Sequence, residues 1–250
     1  MKKDVAFDLS LIRKTENMYD IGLLVIAGIF MLIGLLVSSR LKSKFAKYSK
    51  EPLSSGFSGK DIAEKMLKEN GIYDVKVLSV EGRLSDHYNP LDKTVNLSSD
   101  VYNGRHIAAA AVAAHECGHA VQHATAYQWL NLRSKVVPVV QIASNVMSFL
   151  TFGLAFVAYS MPSIMNSMLV IFISLQSVIT FFSLITLPVE VDASKRALAW
   201  LDNSRITKTQ EHDNAKDALT WAAYTYFVAA LGSIATLVYY IWRFTSNNRD

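Results

Sequence analysis

The residues best suited to chemistry form one short motif, residues 115–119, which reads H-E-x-x-H. Residues 107–114 before it are rich in alanine and contain no helix breaker, so we predict a helix there. Residues four apart lie on the same face of a helix, about 6 Å apart along its axis. Two imidazoles at that spacing can bind one zinc ion beside the intervening carboxylate. The motif therefore predicts His115 and His119 as ligands of one Zn²⁺ and Glu116 as the catalytic residue.

An alternative interpretation is an alanine-rich buried helix whose two histidines are satisfied by hydrogen bonds within a core. We favour the metal site because a glutamate buried in so apolar a run is costly without a partner. Gly118 lowers helix propensity, but its missing side chain would let another element pack close. Cys117 is the only cysteine, so an intrachain disulfide is impossible, and we predict that it packs as a small apolar residue.

Long uncharged segments place this 250-residue chain, of which 51% is hydrophobic, among membrane proteins. Residues 21–39 carry no charge and are long enough to cross a bilayer. We predict three further spans, two of them in a tight hairpin at residues 136–187. The hairpin consists of residues 136–159, with Pro138 in the first turn, and residues 164–187, and residues 160–163 join the two helices. The last span is residues 218–243. Residues 1–20 and 244–250 are short polar termini. We therefore predict a mainly α, multi-pass helical membrane protein.

The distribution of positive charge predicts the orientation of these spans. Five basic residues and no acidic residue follow the first span directly: Arg40, Lys42, Lys44, Lys47 and Lys50. By the positive-inside rule, this side faces the cytoplasm, and residues 188–217 are basic enough to lie there too. The net charge of +4 then reflects basic loops, so it does not predict nucleic-acid binding.

Residues 40–135 form the predicted cytoplasmic portion, which we expect to be small, α+β and zincin-like. Ser58 is suited to cap a short amphipathic helix that Gly71 ends. Residues 73–80 and 94–98 resemble strands, and an extended peptide could add as another strand beside the zinc helix. Residues 86–88 lie in the connection between these strands, as a plain polar loop or as residues that face the substrate.

Glu190 is the predicted third metal ligand, completing a His₂Glu site. It is the first acidic residue after Glu116, because residues 120–189 contain no aspartate or glutamate. Two spans lie between His119 and Glu190, so the chain returns to the membrane face that it left. Pro188 is suited to open a new helix just before this glutamate.

Other candidate ligands fit less well. His123 lies about 12 Å from His115 along a helix, so we place it at the surface or behind the ligands. Asp192 either orients a ligating histidine or is a solvated acid at a helix start. His212 is predicted to lie in an exposed loop. No group that stabilises the tetrahedral oxyanion stands out; the candidates are His106, Arg196 and several tyrosines.

The order of these segments resembles the YugP-type neutral zinc metallopeptidases of bacterial membranes. The resemblance rests on AAHECGHAVQH and LPVEVDAS, with SDHYNP and LSSDVYN, and it covers most of the chain. More distantly, the chain is similar to HtpX-like and prenyl-protein zinc proteases. Those families imply a glutamate ligand that begins an E-x-x-x-D pattern. Here Ser194 stands in the place of the aspartate.

The sequence as a whole predicts a zinc metallopeptidase in the bacterial cell membrane, with its active site on the cytoplasmic side. In this mechanism one Zn²⁺ activates water, and Glu116 takes up a proton and passes it to the leaving amine. The expected partners are a polypeptide substrate and the lipid bilayer. Two alternatives stay open: a non-catalytic scaffold or transporter subunit with a structural zinc, and an intramembrane protease whose motif helix crosses the bilayer.

Overall fold

The computed structural model describes residues 21–82, 84–157 and 165–247. These residues form seven helices and a three-stranded sheet. In chain order the elements are α1 (Ile21–Tyr48), α2 (Gly59–Glu69), β1 (Lys76–Val80), β2 (His87–Asn89), β3 (Thr94–Ser98), α3 (Ser99–Tyr102), α4 (Ile107–Ala124), α5 (Gln128–Val157), α6 (Met165–Asn203) and α7 (Thr209–Asn247). The protein is therefore mainly helical, as the sequence predicts.

Three of the described helices, α1, α6 and α7, are long and apolar enough to cross a membrane. They contain the predicted spans at residues 21–39, 164–187 and 218–243, except that residue 164 lies outside the described residues. Much of the apolar surface of α1 is exposed, as expected of a helix that faces lipid. The predicted span at residues 136–159 lies within α5 as far as Val157, but the described part of α5 is not among these three helices. The predicted turn at residues 160–163 lies outside the described residues.

Two long helices run through prolines that the sequence placed at helix starts. Pro138 lies well inside α5, which begins at Gln128, and not in the first turn. Pro188 lies inside α6, so it does not open a new helix. An interior proline removes one backbone hydrogen bond, and packing against neighbouring helices can outweigh that loss. His212 was also placed wrongly, because it lies near the start of α7 and not in an exposed loop.

The motif helix α4 lies at the centre of the part outside the long apolar helices. It is enclosed on nearly every side, with fifteen of its eighteen residues buried. Helix α2 packs against one side of it, and α6 and α7 pack against others. The apolar core beside it includes Ile62, Met66, Val95 and Leu97. The run of alanines keeps α4 thin, so these neighbours approach it closely.

The sheet has the strand order β1-β3-β2. Strands β1 and β3 are parallel, with Val77 opposite Val95, and they confirm the two predicted strands. Residues 87–89, expected in a polar loop, form the antiparallel edge strand β2, in which Tyr88 is paired with Val95. A strand of three residues is too short to show an alternating pattern in the sequence. This edge strand lies next to α4.

The helix starts and stops predicted in residues 58–71 are confirmed. Ser58 and Asp61 form a capping box at the start of α2, and Gly71 adopts a positive φ of 72° just after its end. The motif helix α4 is capped by His106, whose Nδ1 accepts a hydrogen bond from the Ala109 backbone N–H at 3.1 Å. His106 therefore serves as a helix cap at the far end of α4 from the motif.

Candidate metal centre

Three predicted ligands converge at the contact between α4 and α6. The Oε2 atom of Glu190 lies 3.4 Å from Nε2 of His115 and 3.6 Å from Nε2 of His119. The two imidazole rings are nearly perpendicular, with centroids 4.8 Å apart. One ligand atom from each residue can be chosen so that all three lie within 4.8 Å of one another. Helical spacing brings the two histidines together, and the return of the chain in α6 adds the carboxylate.

This cluster fits a zinc ion. Ligand atoms about 2.0–2.1 Å from a tetrahedral Zn²⁺ lie roughly 3.3 Å from each other, close to both observed nitrogen–oxygen separations. Those separations exceed the usual length of a hydrogen bond. Glu190 is also only 3% exposed, and its Oε2 is buried with no hydrogen-bond partner among the described residues. An unsatisfied buried carboxylate oxygen is costly, and a cation shared with the histidines removes that cost.

Gly118 allows α6 to pack against α4 at this site. A Cβ atom on Gly118 would lie 2.5 Å from the backbone oxygen of Ala193. Backbone atoms cannot rotate away as a side chain can, so a larger residue would push the two helices apart. Ala193 follows Glu190 by three residues in α6. The prediction that Gly118 admits another packed element is therefore confirmed.

His119 is held by a chain of hydrogen bonds that ends on α6. Its Nδ1 lies 3.1 Å from Oε1 of Gln122, which is fully buried. The amide nitrogen of Gln122 donates to the Val189 backbone oxygen and to Asp192 Oδ2, both at 2.8 Å. With its nitrogen donating to two acceptors, Gln122 presents its oxygen to the imidazole. His119 must then carry a proton on Nδ1, which leaves the Nε2 lone pair for a metal.

Asp192 thus acts on His119 through Gln122. Its Oδ2 also accepts a hydrogen bond of 2.6 Å from Nε of Arg196. Arg196 in turn lies over the ring of Tyr127, 5.6 Å from its centroid. Of the two interpretations of Asp192, the structure therefore favours the one in which it orients a histidine. Arg196 belongs to the same hydrogen-bonded chain behind His119, and not among the three ligands.

His115 is positioned by Ser194, whose Oγ lies 3.1 Å from His115 Nδ1. The serine hydroxyl can accept a hydrogen bond from the Nδ1–H group of His115, which leaves the Nε2 lone pair facing Glu190. Ser194 is four residues after Glu190, where the distant families have an aspartate. The serine therefore still reaches the histidine, but it offers a neutral hydroxyl in place of a carboxylate.

Glu116 lies beside the three ligands and contacts the edge of the sheet. Its side chain is 9% exposed, and Oε2 accepts a hydrogen bond of 3.0 Å from the Tyr88 backbone N–H. The Tyr88 hydroxyl lies 2.7 Å from Nδ1 of His123. His123 therefore connects β2 to the motif helix through a hydrogen bond. It is not one of the three clustered residues. Of residues 86–88, His87 and Tyr88 lie in the edge strand β2 beside the site, which the interpretation as a plain loop had missed.

Other polar groups near the motif have clear structural partners. Burial raises the pKa of the Cys117 thiol, which lies 3.6 Å from the Ala63 backbone oxygen, so this residue is an inert part of the core. His106 caps α4 nine residues before His115, about 13 Å away along the helix axis.

Two opposing effects act on the pKa of His119. Burial lowers this pKa, but the carboxylates of Glu190 and Glu116 outweigh burial, so the pKa of His119 is raised above its ordinary value.

Comparison with known proteins agrees with this geometry. Residues 23–245 match the model of a protein family described as "Putative neutral zinc metallopeptidase". The chain belongs to this family. It is also 42% identical over 211 residues to a Bacillus subtilis (strain 168) protein described as "Putative membrane protease YugP". That match covers 84% of this chain and 91% of the relative, so the resemblance drawn from motif order is confirmed. No solved structure matches the chain significantly.

Beside the H-E-x-x-H motif the structure shows a cleft of about 160 Å³ that reaches the clustered residues. His115, Glu116, Glu190 and Ser194 line one part of it. The remaining lining residues come from α1, α7, the motif helix α4 and the segment before β2: Leu41, Phe45, Leu84, Asp86, Val112, Leu219, Ala222, Ala223 and Tyr226. The cluster is therefore accessible to a molecule larger than water.

Sequence reasoning missed four residues around the ligands. Gln122 could have been found, because it lies one helical turn after His119 and on the same face. Ser194 was noticed only as a departure from the distant pattern. Nothing local in the sequence points to Arg133, whose guanidinium lies 3.6 Å from Oε1 of Glu190, or to Tyr226 in the cleft. Both come from helices whose contact with the site depends on tertiary packing.

Proposed function

We propose that the protein is a membrane-bound zinc metallopeptidase. In this proposal His115, His119 and Glu190 hold one Zn²⁺, and Glu116 is the general base. The observation that carries it is the convergence of two histidine Nε2 atoms on one unpaired buried oxygen of Glu190. A zinc site with three protein ligands beside an open cleft is typical of catalysis, whereas structural sites usually have four.

Each protein group has a definite task in this mechanism. Zinc in such a site supplies Lewis acidity, which polarises a carbonyl and makes water more acidic. Glu116 takes the proton from the attacking water and returns it to the leaving amine. The Tyr88 N–H holds one oxygen of Glu116 in place. Arg133, with its guanidinium near the other Glu190 oxygen, stabilises the anionic form that binds metal.

The contacts between the long helices support the proposed topology, in which the site faces the cytoplasm. Lys44 near the end of α1 pairs with Asp217 near the start of α7 at 2.8 Å. The Tyr48 hydroxyl donates a hydrogen bond of 2.5 Å to the same carboxylate. The end of the first span and the start of the last therefore lie on one side, together with the basic residues after α1. By the positive-inside rule we assign that side to the cytoplasm of a bacterial cell membrane.

The packing of α4 disfavours the intramembrane alternative. A helix that crosses the bilayer alone would expose an apolar surface to lipid, but α4 is enclosed by α2, the sheet, α6 and α7. Single cysteines at Lys68 and Asp202, both exposed, test this point, and the native Cys117 is buried. We expect an impermeant thiol reagent to label both from the cytoplasmic side. Labelling from opposite sides would require a motif helix that spans the membrane.

The central experiment replaces Glu116 by Gln in the full-length protein in membranes. Zinc binding should persist, because this residue is not a proposed ligand, whereas hydrolysis should fall by a factor of about a hundred or more. New peptide termini are compared between membranes that contain the wild type and the variant, and bound zinc is measured in parallel. Glu81→Gln, at an exposed position, is the matched control. Unchanged cleavage or physiological activity in the Glu116 variant would favour a scaffold or transporter subunit with a structural zinc.

A further inference from the structure

Part of the cleft lining is apolar and contributes none of the three clustered ligands. Leu41 and Phe45 come from α1, and Leu219, Ala222 and Ala223 come from α7. All three ligands and the general base lie on α4 and α6. A molecule bound at the ligands would therefore place its neighbouring groups against this wall, which we call the α1/α7 wall.

The chemistry of the α1/α7 wall indicates what it can hold. Its five residues carry no charge and no side-chain hydrogen-bonding group. Tyr226, the other residue of α7 that lines the cleft, adds one hydroxyl beside this wall. The acidic residue on the rim, Asp86, is already engaged, because its carboxylate accepts hydrogen bonds from the Ser98 backbone N–H at 2.7 Å and from the Ser98 hydroxyl at 3.2 Å. The two alanines leave the space that larger residues at these positions would occupy. Such a wall favours an apolar group and disfavours a charged one, which would lose its hydration there.

We propose that the α1/α7 wall is a substrate subsite that receives a large apolar side chain next to the scissile bond. The inference rests on the proposed peptidase function and adds the substrate class: polypeptides with an aromatic or branched aliphatic residue at that position. Burial of an apolar side chain stabilises the bound substrate in proportion to the area removed from water. Pockets of this kind discriminate between side chains by about tenfold or more.

The position of the subsite explains why apolar side chains line the cleft there. Leu41 lies two residues beyond the uncharged run of residues 21–39, about 3 Å along the helix axis. Ala222 lies four residues into the predicted last span, about 6 Å along its axis. The wall is therefore the edge of the membrane-crossing surface, turned toward the catalytic groups. A polypeptide reaching the site along the membrane face would present its apolar side chains to it.

The test uses pairs of fluorogenic peptides that differ only at one residue flanking the scissile bond, phenylalanine or serine. Full-length protein in lipid nanodiscs should cleave the phenylalanine peptide with a kcat/KM about tenfold higher or more. Ala222→Phe and Ala223→Phe fill the space and should reduce this preference at least tenfold, with bound zinc unchanged. Ala229→Phe, at an exposed position of the same helix, is the matched control and should keep the preference.

An enlarging variant covers the case in which the filling variants fail to fold. Leu41→Ala removes side-chain volume, so it cannot clash, and it should shift the preference from phenylalanine toward tryptophan. Equal cleavage of both peptides by the wild type, or a preference that survives both filling variants, would overturn the subsite and leave the peptidase function intact. If the filling variants changed the amount of lipid bound to the protein but not the preference between peptides, the wall would hold an acyl chain. That result would also overturn the proposed substrate subsite. Failure of the peptidase proposal itself has a different sign, which is unchanged cleavage in the Glu116→Gln variant.

Discussion

The hydroxyl of Ser194 lies 3.1 Å from Nδ1 of His115, although the two residues are 79 positions apart in the chain. This contact belongs to α6, the helix that also carries Glu190 and Asp192. One helix therefore supplies a ligand and contacts, directly or through Gln122, the Nδ1 side of both histidines. Movement of α6 would disturb all three ligands together.

Replacing Ser194 by alanine should weaken zinc binding about tenfold, because His115 loses the partner that fixes its orientation and tautomer. Ser194→Asp should retain zinc binding or strengthen it, since a carboxylate accepts a stronger hydrogen bond from Nδ1–H than a hydroxyl does. Competition with a chromophoric chelator measures the affinity. Equal affinity in the wild type and both variants would contradict a role for this contact.

Replacing Gln122 by leucine should weaken zinc binding by about 10–100-fold, through loss of the acceptor for His119 Nδ1. Leucine also removes the donor to the Val189 carbonyl and one of the two donors to Asp192, so the contact between α4 and α6 should loosen. Cobalt substituted for zinc gives a visible spectrum that reports the geometry of the ligands, and this spectrum should change. The control is Gln128→Leu at the exposed start of α5, which should leave both readouts as they are.

Replacing Gly118 by alanine should destabilise the protein by about 1–3 kcal/mol, because the new Cβ would meet the Ala193 backbone oxygen. Alanine has the higher helix propensity, so a loss of stability must come from the contact with α6. Gly34→Ala is the matched control, since nothing lies within 4 Å of a Cβ there. Thermal unfolding in detergent should show a lower midpoint for the first variant only. A midpoint for Gly118→Ala at or above the wild-type value would contradict the close packing.

The cap of the motif helix should make stability depend on pH. Burial lowers the pKa of His106 below its ordinary value, and the nearby Asp100 opposes this only in part. His106 therefore binds a proton more readily in the unfolded chain than in the folded protein. The stability that the neutral His106 cap contributes is fully present above about pH 6.5, and it is lost as the pH falls through the pKa of His106 in the folded protein. His106→Asn retains a good cap that does not titrate.

The measurement for this prediction is the unfolding midpoint of both proteins between about pH 7.5 and 5.5. The wild type should lose more stability than His106→Asn over this range. Every other titratable group is the same in both proteins, so its effect cancels in the comparison. Identical pH profiles would show that protonation of His106 does not weaken the cap.

Local features of the chain were predictable because neighbouring residues determine them. The spacing of His115 and His119 is a property of any helix, and alanine-rich flanks make that helix probable from the sequence alone. Ser58 and Gly71 mark helix ends through backbone hydrogen bonding and positive φ, which also depend on adjacent residues. The short strand β2 escaped notice because it pairs with β3 over only three residues.

The errors at prolines show where local preference fails. Pro138 and Pro188 are typical of helix starts, yet α5 and α6 continue through both. The loss of one backbone hydrogen bond is small beside the packing of a long helix against its neighbours. Tertiary contacts therefore decide where such helices begin, and a single sequence does not contain them explicitly.

The sequence by itself predicted the candidate metal site, through the two histidines and the glutamate of the motif, and it also predicted the uncharged spans and the family. Only the tertiary structure decided which groups complete the site. Gln122, Ser194 and Arg133 reach the ligands through the rotation and close approach of α4, α5 and α6, which Gly118 permits at the contact with α6. The cleft beside them likewise joins α1 and α7, which are distant in the chain. Ligand identity follows from residue type and local spacing, whereas ligand environment depends on how helices pack.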